Sequence, residues 1–327
     1  MLQTDRLLKK VFITIFFLFI FVFPFNAALS EENLDHYPEE GFELYQVDDF
    51  DIYQKETSLR IAYGTTVTVD ANSPVPFNWI VLYVVGSQKT IKYVGGASYG
   101  AKEVASQYGD IPPNWIITHL EDLGAATRRY IKYVGGASYG AYEIASQYGD
   151  IPFNWIITKL SGFGTATKRH LKYVGGASYG ATEVASQYGD IPPNWIITQF
   201  DDLGDATRRH IKYLGGASYG KEERASSYGE IPSNWAILWV DTHYRYLKYL
   251  GNPPQFGLTE RISRFGEIPE DWAIQYFHAN GEYREIICLA HAQLYKTVEV
   301  YLFGPLPAGW FIIHTSDWRR TIQYIGI

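Results

Sequence analysis

The chain has 327 residues and a single cysteine, Cys288, so no intramolecular disulfide can form and packing must hold the fold. Apolar residues make up 46% of it and aromatic residues 17%, too rich a mixture for a disordered chain. The net charge of −7 is unevenly placed: residues 31–56 carry −9, residues 1–30 carry +2, and the remainder is neutral. A neutral remainder lacks the basic footprint of a nucleic-acid binder.

At the N-terminus, Arg6, Lys9 and Lys10 precede an unbroken apolar run over residues 11–23, which Pro24 ends. Ala28 and Ser30 then place small residues ahead of Glu31. This is the layout of a cleaved signal peptide over residues 1–30. The alternative is an uncleaved membrane anchor, because residues 11–29 approach the ~20 needed to span a bilayer. Either way the rest of the chain is expected outside the cytoplasm, secreted or in the cell envelope, since a basic flank stays inside. A membrane is then met only through this segment. Residues 31–75 read as an acidic linker, with turn residues at Pro38, Gly41, Asn72, Ser73 and Pro74 and one strand near residues 65–69.

Residues 76–327 form a tandem array. Residues 91–130 return at 131–170 and 171–210, and 33 of the 40 positions agree between the first and third copies. Seven tryptophans mark the phase: Trp79, Trp115, Trp155, Trp195, Trp235, Trp272 and Trp310, spaced 36 to 40 apart. The first five stand in the form Pro-x-Asn-Trp, and each Trp opens a β-like run such as WIIT. A turn-rich tip and a second, alternating run (RRYIKYV in residues 128–134) complete a hairpin. After Gly135-Gly136 the period changes. Ala101, Val104, Ala105 and Tyr108 fall at i, i+3, i+4 and i+7, which predicts a two-turn helix over residues 101–108, stopped by Gly109 and Pro112. Residues 259–265 repeat that pattern. The expected architecture is therefore α+β: about seven β-hairpin–short-helix repeats of 36–40 residues, antiparallel hairpins with helices on one face.

The repeat offers no chemistry. His119 is matched by Lys159 and Gln199, and His170 and His210 stand where Tyr130 does, an exchange that catalytic or metal-binding duty would not tolerate. There is no HExxH, no cysteine pair and no calcium loop. The Gly95–Gly100 turn, GGASYG, lacks the Lys-Ser/Thr of a P-loop and reads as a strand-to-helix turn. Glu103, Glu143, Glu183 and Glu223 recur without a nucleophile or base beside them and read as a solvated face. No catalytic residue, metal ligand or cofactor is expected, and the chain reads as non-enzymatic.

The candidates for binding are aromatic and basic. Trp79, Trp115, Trp155, Trp195 and Trp235 open the strands. On the partner strand Tyr130 shares a face with Lys132, and Lys172 and Lys212 hold the place of Lys132 in the next repeats. If helices cover one side, the other presents a ladder of flat rings and cations suited to sugar rings and their carboxylates. The competing reading puts the tryptophans in the core, as is usual for Trp. The order RRYIKYVGGAS, a short helix holding Ala145 and Ser146, Gly149 and then WIIT also resembles the βαβ half-repeat of SPOR domains. Those are envelope modules that bind peptidoglycan strands on an exposed sheet face. The resemblance covers the array as a pattern of short strand, Val-Gly-Gly turn and helix. It implies that two repeats in register, residues 128–159 with 168–199, make one βαββαβ domain.

The function expected from these readings is an exported repeat protein that binds a polymeric ligand, a polysaccharide such as peptidoglycan or a surface glycan. The alternative is a structural or adhesive spacer that meets a protein partner or itself.

Overall fold

The computed structural model describes residues 61–162, 164, 167–202, 207–278 and 281–326. The expected signal peptide or anchor, and residues 31–60 of the acidic linker, lie outside the described residues; the rest of that linker, residues 61–75, is described and holds the first strand of the array. Among those described, the array is all-β. The first unit is β1 (Thr66–Asp70), β2 (Trp79–Val85) and β3 (Gln88–Tyr93); the second is β4 (Lys102–Ser106), β5 (Trp115–Asp122) and β6 (Thr127–Tyr133). The third is β7 (Tyr142–Ser146), β8 (Trp155–Ser161) and β9 (Lys168–Tyr173); the fourth is β10 (Thr182–Ser186), β11 (Trp195–Asp202) and β12 (Thr207–Tyr213). The fifth is β13 (Glu222–Ser226), β14 (Trp235–Val240) and β15 (Tyr244–Tyr249); the sixth is β16 (Thr259–Ser263), β17 (Trp272–Phe277) and β18 (Tyr283–Cys288). The seventh is β19 (Thr297–Tyr301), β20 (Trp310–Thr315) and β21 (Arg319–Tyr324).

Each unit is a three-stranded antiparallel sheet in which the third strand lies in the middle, in the order β4-β6-β5. The hairpins predicted from the tryptophan runs are present as the second and third strands of every unit. The predicted helices are not. Residues 102–106 and 259–263 are strands, paired through Lys102–Lys132 and Thr259–Ile287. The α+β class and the helices on one face are thereby corrected to all-β. The four positions taken for a helix face are not one: Ala105 is fully buried while Val104 and Tyr108 are exposed. Two turns of helix have little stability of their own, whereas the central strand offers these residues a ladder of backbone hydrogen bonds along one edge. The SPOR half-repeat needs a helix at this place, so the resemblance does not extend to the fold.

A single sheet of this size has no core of its own. The second strand of each unit packs on the first strand of the next: β2 on β4, β5 on β7, and so on to β17 on β19. A typical core cluster takes Ile116 and Val134 from the second unit and Ala145, Trp155, Ile157 and Leu171 from the third. The second strands are therefore buried on both faces at their start, which explains the run of apolar residues there where alternation would be expected. Stability resides at the joints between units, as in other stacked repeats.

Candidate functional site

The tryptophans are core. Trp79, Trp115, Trp155, Trp195 and Trp235 are only 4–9% exposed. Each packs tilted or edge-on against the tyrosine at the end of its own central strand, as Trp155 does on Tyr173 with ring centroids 5.4 Å apart. A bulge breaks the alternation of the second strand. Ile117 pairs with Ile131 but His119 pairs with Tyr130, so Thr118 is an extra residue and the strand turns over after it. The same shift recurs in the other units, for example between Ile237 and Trp239.

The predicted lysines are engaged across the joints. Lys132 reaches Glu143 of the next unit at 2.6 Å, Lys172 reaches Glu183 at 2.6 Å, and Lys212 reaches Glu223 at 2.7 Å. The same carboxylate accepts a tyrosine hydroxyl from the turn ahead of the lysine's unit: Tyr99 donates to Glu143 at 2.6 Å and Tyr139 to Glu183 at 2.7 Å. Burial first, then the hydrogen bond and the negative charge of the glutamate, push the hydroxyls of Tyr63, Tyr99, Tyr139 and Tyr179 up to about 12. The recurrent glutamates thus bind the array together instead of facing solvent. Tyr130 lies half-buried, stacked on His119 at 4.0 Å and donating to Glu121 at 2.8 Å. Where histidine replaces it the partner changes too: His170 meets Ser161 and His210 meets Asp201.

The joint between the sixth and seventh units departs from this rule at all three places together. The register puts Ile287 where the lysine stands and Val298 where the glutamate stands. Phe256 takes the tyrosine's place ahead of Gly257, whose amide bonds Cys288 just as Gly220 bonds Tyr249. Phe256, Ile287 and Val298 belong to one apolar cluster. A lysine or glutamate left alone there would be a poorly solvated, uncompensated charge.

A second cation per unit is also internal. Arg129 donates Nε to the carbonyl of Ser106 at 2.6 Å and Nη2 to those of Tyr108 and Gly109 at 2.9 and 2.7 Å. Arg169 and Arg209 repeat this. These bonds fix the Tyr-Gly-Asp-Ile-Pro turn that follows each first strand.

Fixed turns of successive units wall a row of open clefts. The first lies between Asp110–Asn114 and Asp150–Phe153, with Trp115, Ile117 and Arg129 at its floor. The second is built of Asp150, Pro152, Phe153, Trp155, Arg169 and Asp190, and the third of Asp190, Pro192, Trp195, Arg209 and Glu230 with their neighbours. Their volumes are ≈ 910, 510 and 680 Å³. Three of the five predicted tryptophans thus line clefts, from within. The groups at the mouth are ones that sequence reasoning passed over: the acids Asp110, Asp150, Asp190 and Glu230, and the exposed residue before Asn, which is Pro113, Phe153, Pro193 or Ser233. Its variability among near-identical units was the available signal of exposure.

A separate groove of ≈ 950 Å³ gathers Lys102, Val104, His119, Tyr130, Lys132 and Tyr142. Among the described residues no cluster of three or more His, Cys, Asp or Glu could hold a metal ion. Comparison with protein-family models, curated proteins and solved structures finds no match.

Proposed function

We propose that the chain is an exported, non-enzymatic array that holds a polymeric ligand, a cell-wall or surface glycan, along the row of clefts. The observation that carries this reading is the recurrence of one lining at three successive joints. Stacked sheets lie about 10 Å apart, so the array offers like sites at a spacing close to that of alternate rings in an extended glycan. Carboxylates at the mouths accept hydroxyl hydrogen bonds, and Phe153 or proline gives a flat apolar face for a sugar ring. Each contact is weak, and linkage along one polymer strengthens the whole by about 10²–10⁴ when the spacing matches.

The test is retention on purified peptidoglycan and on a panel of surface polysaccharides. Phe153→Ala combined with Asp110→Asn, Asp150→Asn and Asp190→Asn is expected to lower retention at least tenfold with an unchanged circular dichroism spectrum. Flow-through on every polymer rejects the reading.

A further inference from the structure

Each unit from the second to the seventh shows one aromatic ring to solvent, two residues beyond its first strand. These are Tyr108, Tyr148, Tyr188, Tyr228, Phe265 and Phe303, 41–69% exposed. The backbone under the ring is pinned from both sides. The amide of Tyr148 donates to Ser146 Oγ at 3.1 Å, and its carbonyl accepts Arg169 Nη2 at 2.6 Å. Tyr108, Tyr188, Tyr228 and Phe265 repeat both bonds. The turn does not need the ring. The first unit makes a turn of the same length with Asn72 in the ring's place, its amide on Asp70 Oδ1 at 2.8 Å and Lys89 on the carbonyls of Ala71 and Ser73. Nor is the hydroxyl needed, since Phe265 and Phe303 lack it. What recurs is an exposed ring face held in a fixed place.

An acid accompanies it. Asp110, Asp150, Asp190, Glu230 and Glu267 stand exposed two residues beyond the ring in the second to sixth units. The first unit, which lacks the ring, has Pro74 there, and the seventh has Pro305. Tyr148 lines the first cleft together with Asp110 and Asp150. The sixth unit shows what such a ring attracts: the Arg264 guanidinium lies over Phe265 at 4.7 Å. In the four units before it the residue ahead of the ring is Gln107, Gln147, Gln187 or Ser227, which carries no charge.

We infer that there the ligand supplies the cation: the polymer along the clefts is a glycan whose sugars carry free amino groups, a de-N-acetylated polymer of amino sugars. The inference rests on the glycan reading above and names its substrate class. A protonated amine is drawn to an aromatic face and pairs with the neighbouring carboxylate. An N-acetylated sugar offers no charge to either, and a uronic acid is repelled by the acids. Each such contact is weak alone, and repetition along one polymer makes the preference count.

Isothermal titration of the full chain with glucosamine oligomers, N-acetylglucosamine oligomers of the same length and oligogalacturonate tests this. Binding of the free-amine oligomer about tenfold tighter than the acetylated one is expected. Tyr108→Leu, Tyr148→Leu and Tyr188→Leu together leave the charge of the chain unchanged and are expected to remove that preference. Tyr108→Phe, Tyr148→Phe and Tyr188→Phe together are expected to keep it. Equal or tighter binding of the acetylated oligomer or of oligogalacturonate overturns the inference and leaves the glycan reading standing. Binding of none of the three overturns it as well, and retention on the polysaccharide panel then decides the glycan reading by itself. A free-amine preference that the leucine variant retains is attraction to the acidic stretch of residues 31–56, and also overturns it.

Discussion

Asn154 sits at φ 65°, in the left-handed region, one residue before the buried Trp155, and its carbonyl accepts the amide of Val174 at 2.8 Å. Asn78, Asn114, Asn194 and Asn234 repeat the conformation at φ 64–65°, and Gly309 takes the same place in the seventh unit. The Asn is therefore chosen for its backbone. Asn154→Gly is expected to leave the urea midpoint nearly unchanged, while Asn154→Val, branched at Cβ, is expected to cost about 1–3 kcal/mol. Gly189 shows a stricter requirement. It has φ 80°, where a side chain is strained, and a Cβ added there would lie 3.1 Å from Ile157 of the preceding unit, so conformation and packing both disfavour a side chain. These turns were legible in the sequence as Pro-x-Asn-Trp and Tyr-Gly-Asp. What was not legible was that the glycine touches a neighbouring unit, because that contact spans 32 positions of the chain.

At the scale of the strand, polarity was inverted and the element was misread. On β7 the inward residues are Glu143 and Ala145, and the outward ones include Tyr142 and Ile144. Alternation normally places the apolar residues inside; here a buried glutamate is admitted because Lys132 and Tyr99 come to meet it from the unit before. Without that knowledge the spacing of Ala and Val suggests a helix. The hairpins escaped this error, since their second strands are long, apolar and opened by Trp. Concerted replacement at the last joint gives a direct test of the ladder. Glu143→Val alone strands the Lys132 ammonium and is expected to destabilise by about 1.5–3 kcal/mol, the range for losing hydrogen bonds to a charged group. Tyr99→Phe, Lys132→Ile and Glu143→Val together rebuild the Phe256–Ile287–Val298 arrangement. The triple variant is expected to unfold within about 1 kcal/mol of the parent, as apolar substitution of buried ion pairs often allows.

Over the whole molecule the same ladder makes stability depend on alkaline pH. Tyr63, Tyr99, Tyr139 and Tyr179 ionise near 12 in the folded chain against 10.0 for a free phenol. Between those values the unfolded chain has released protons that the folded chain keeps, so stability falls as pH rises. The contribution is full below pH 10 and gone above about 12. Urea midpoints measured from pH 8 to 12 are expected to fall through this window. The fall should be shallower in a chain with all four tyrosines changed to Phe. An equal slope in both chains counts against the ladder. The order of the units, their number and their phase were legible from the tryptophan spacing. The staggered stacking was not, because strand-to-strand pairing in the order first–third–second leaves no periodic mark on the sequence.

The two kinds of joint also set rules for how such a gene can change length. The second to fourth units meet their neighbours through the same Tyr, Lys and Glu, and residues 91–130 and 171–210 agree at 33 of 40 positions. Unequal recombination among them swaps one half-joint for an identical one, so copies can be gained or lost with no mismatch. A crossover that joins the seventh unit to any but the sixth brings Val298 against a lysine. Copy number is thus free to drift in the middle of the array, while the sixth and seventh units are inherited as a pair.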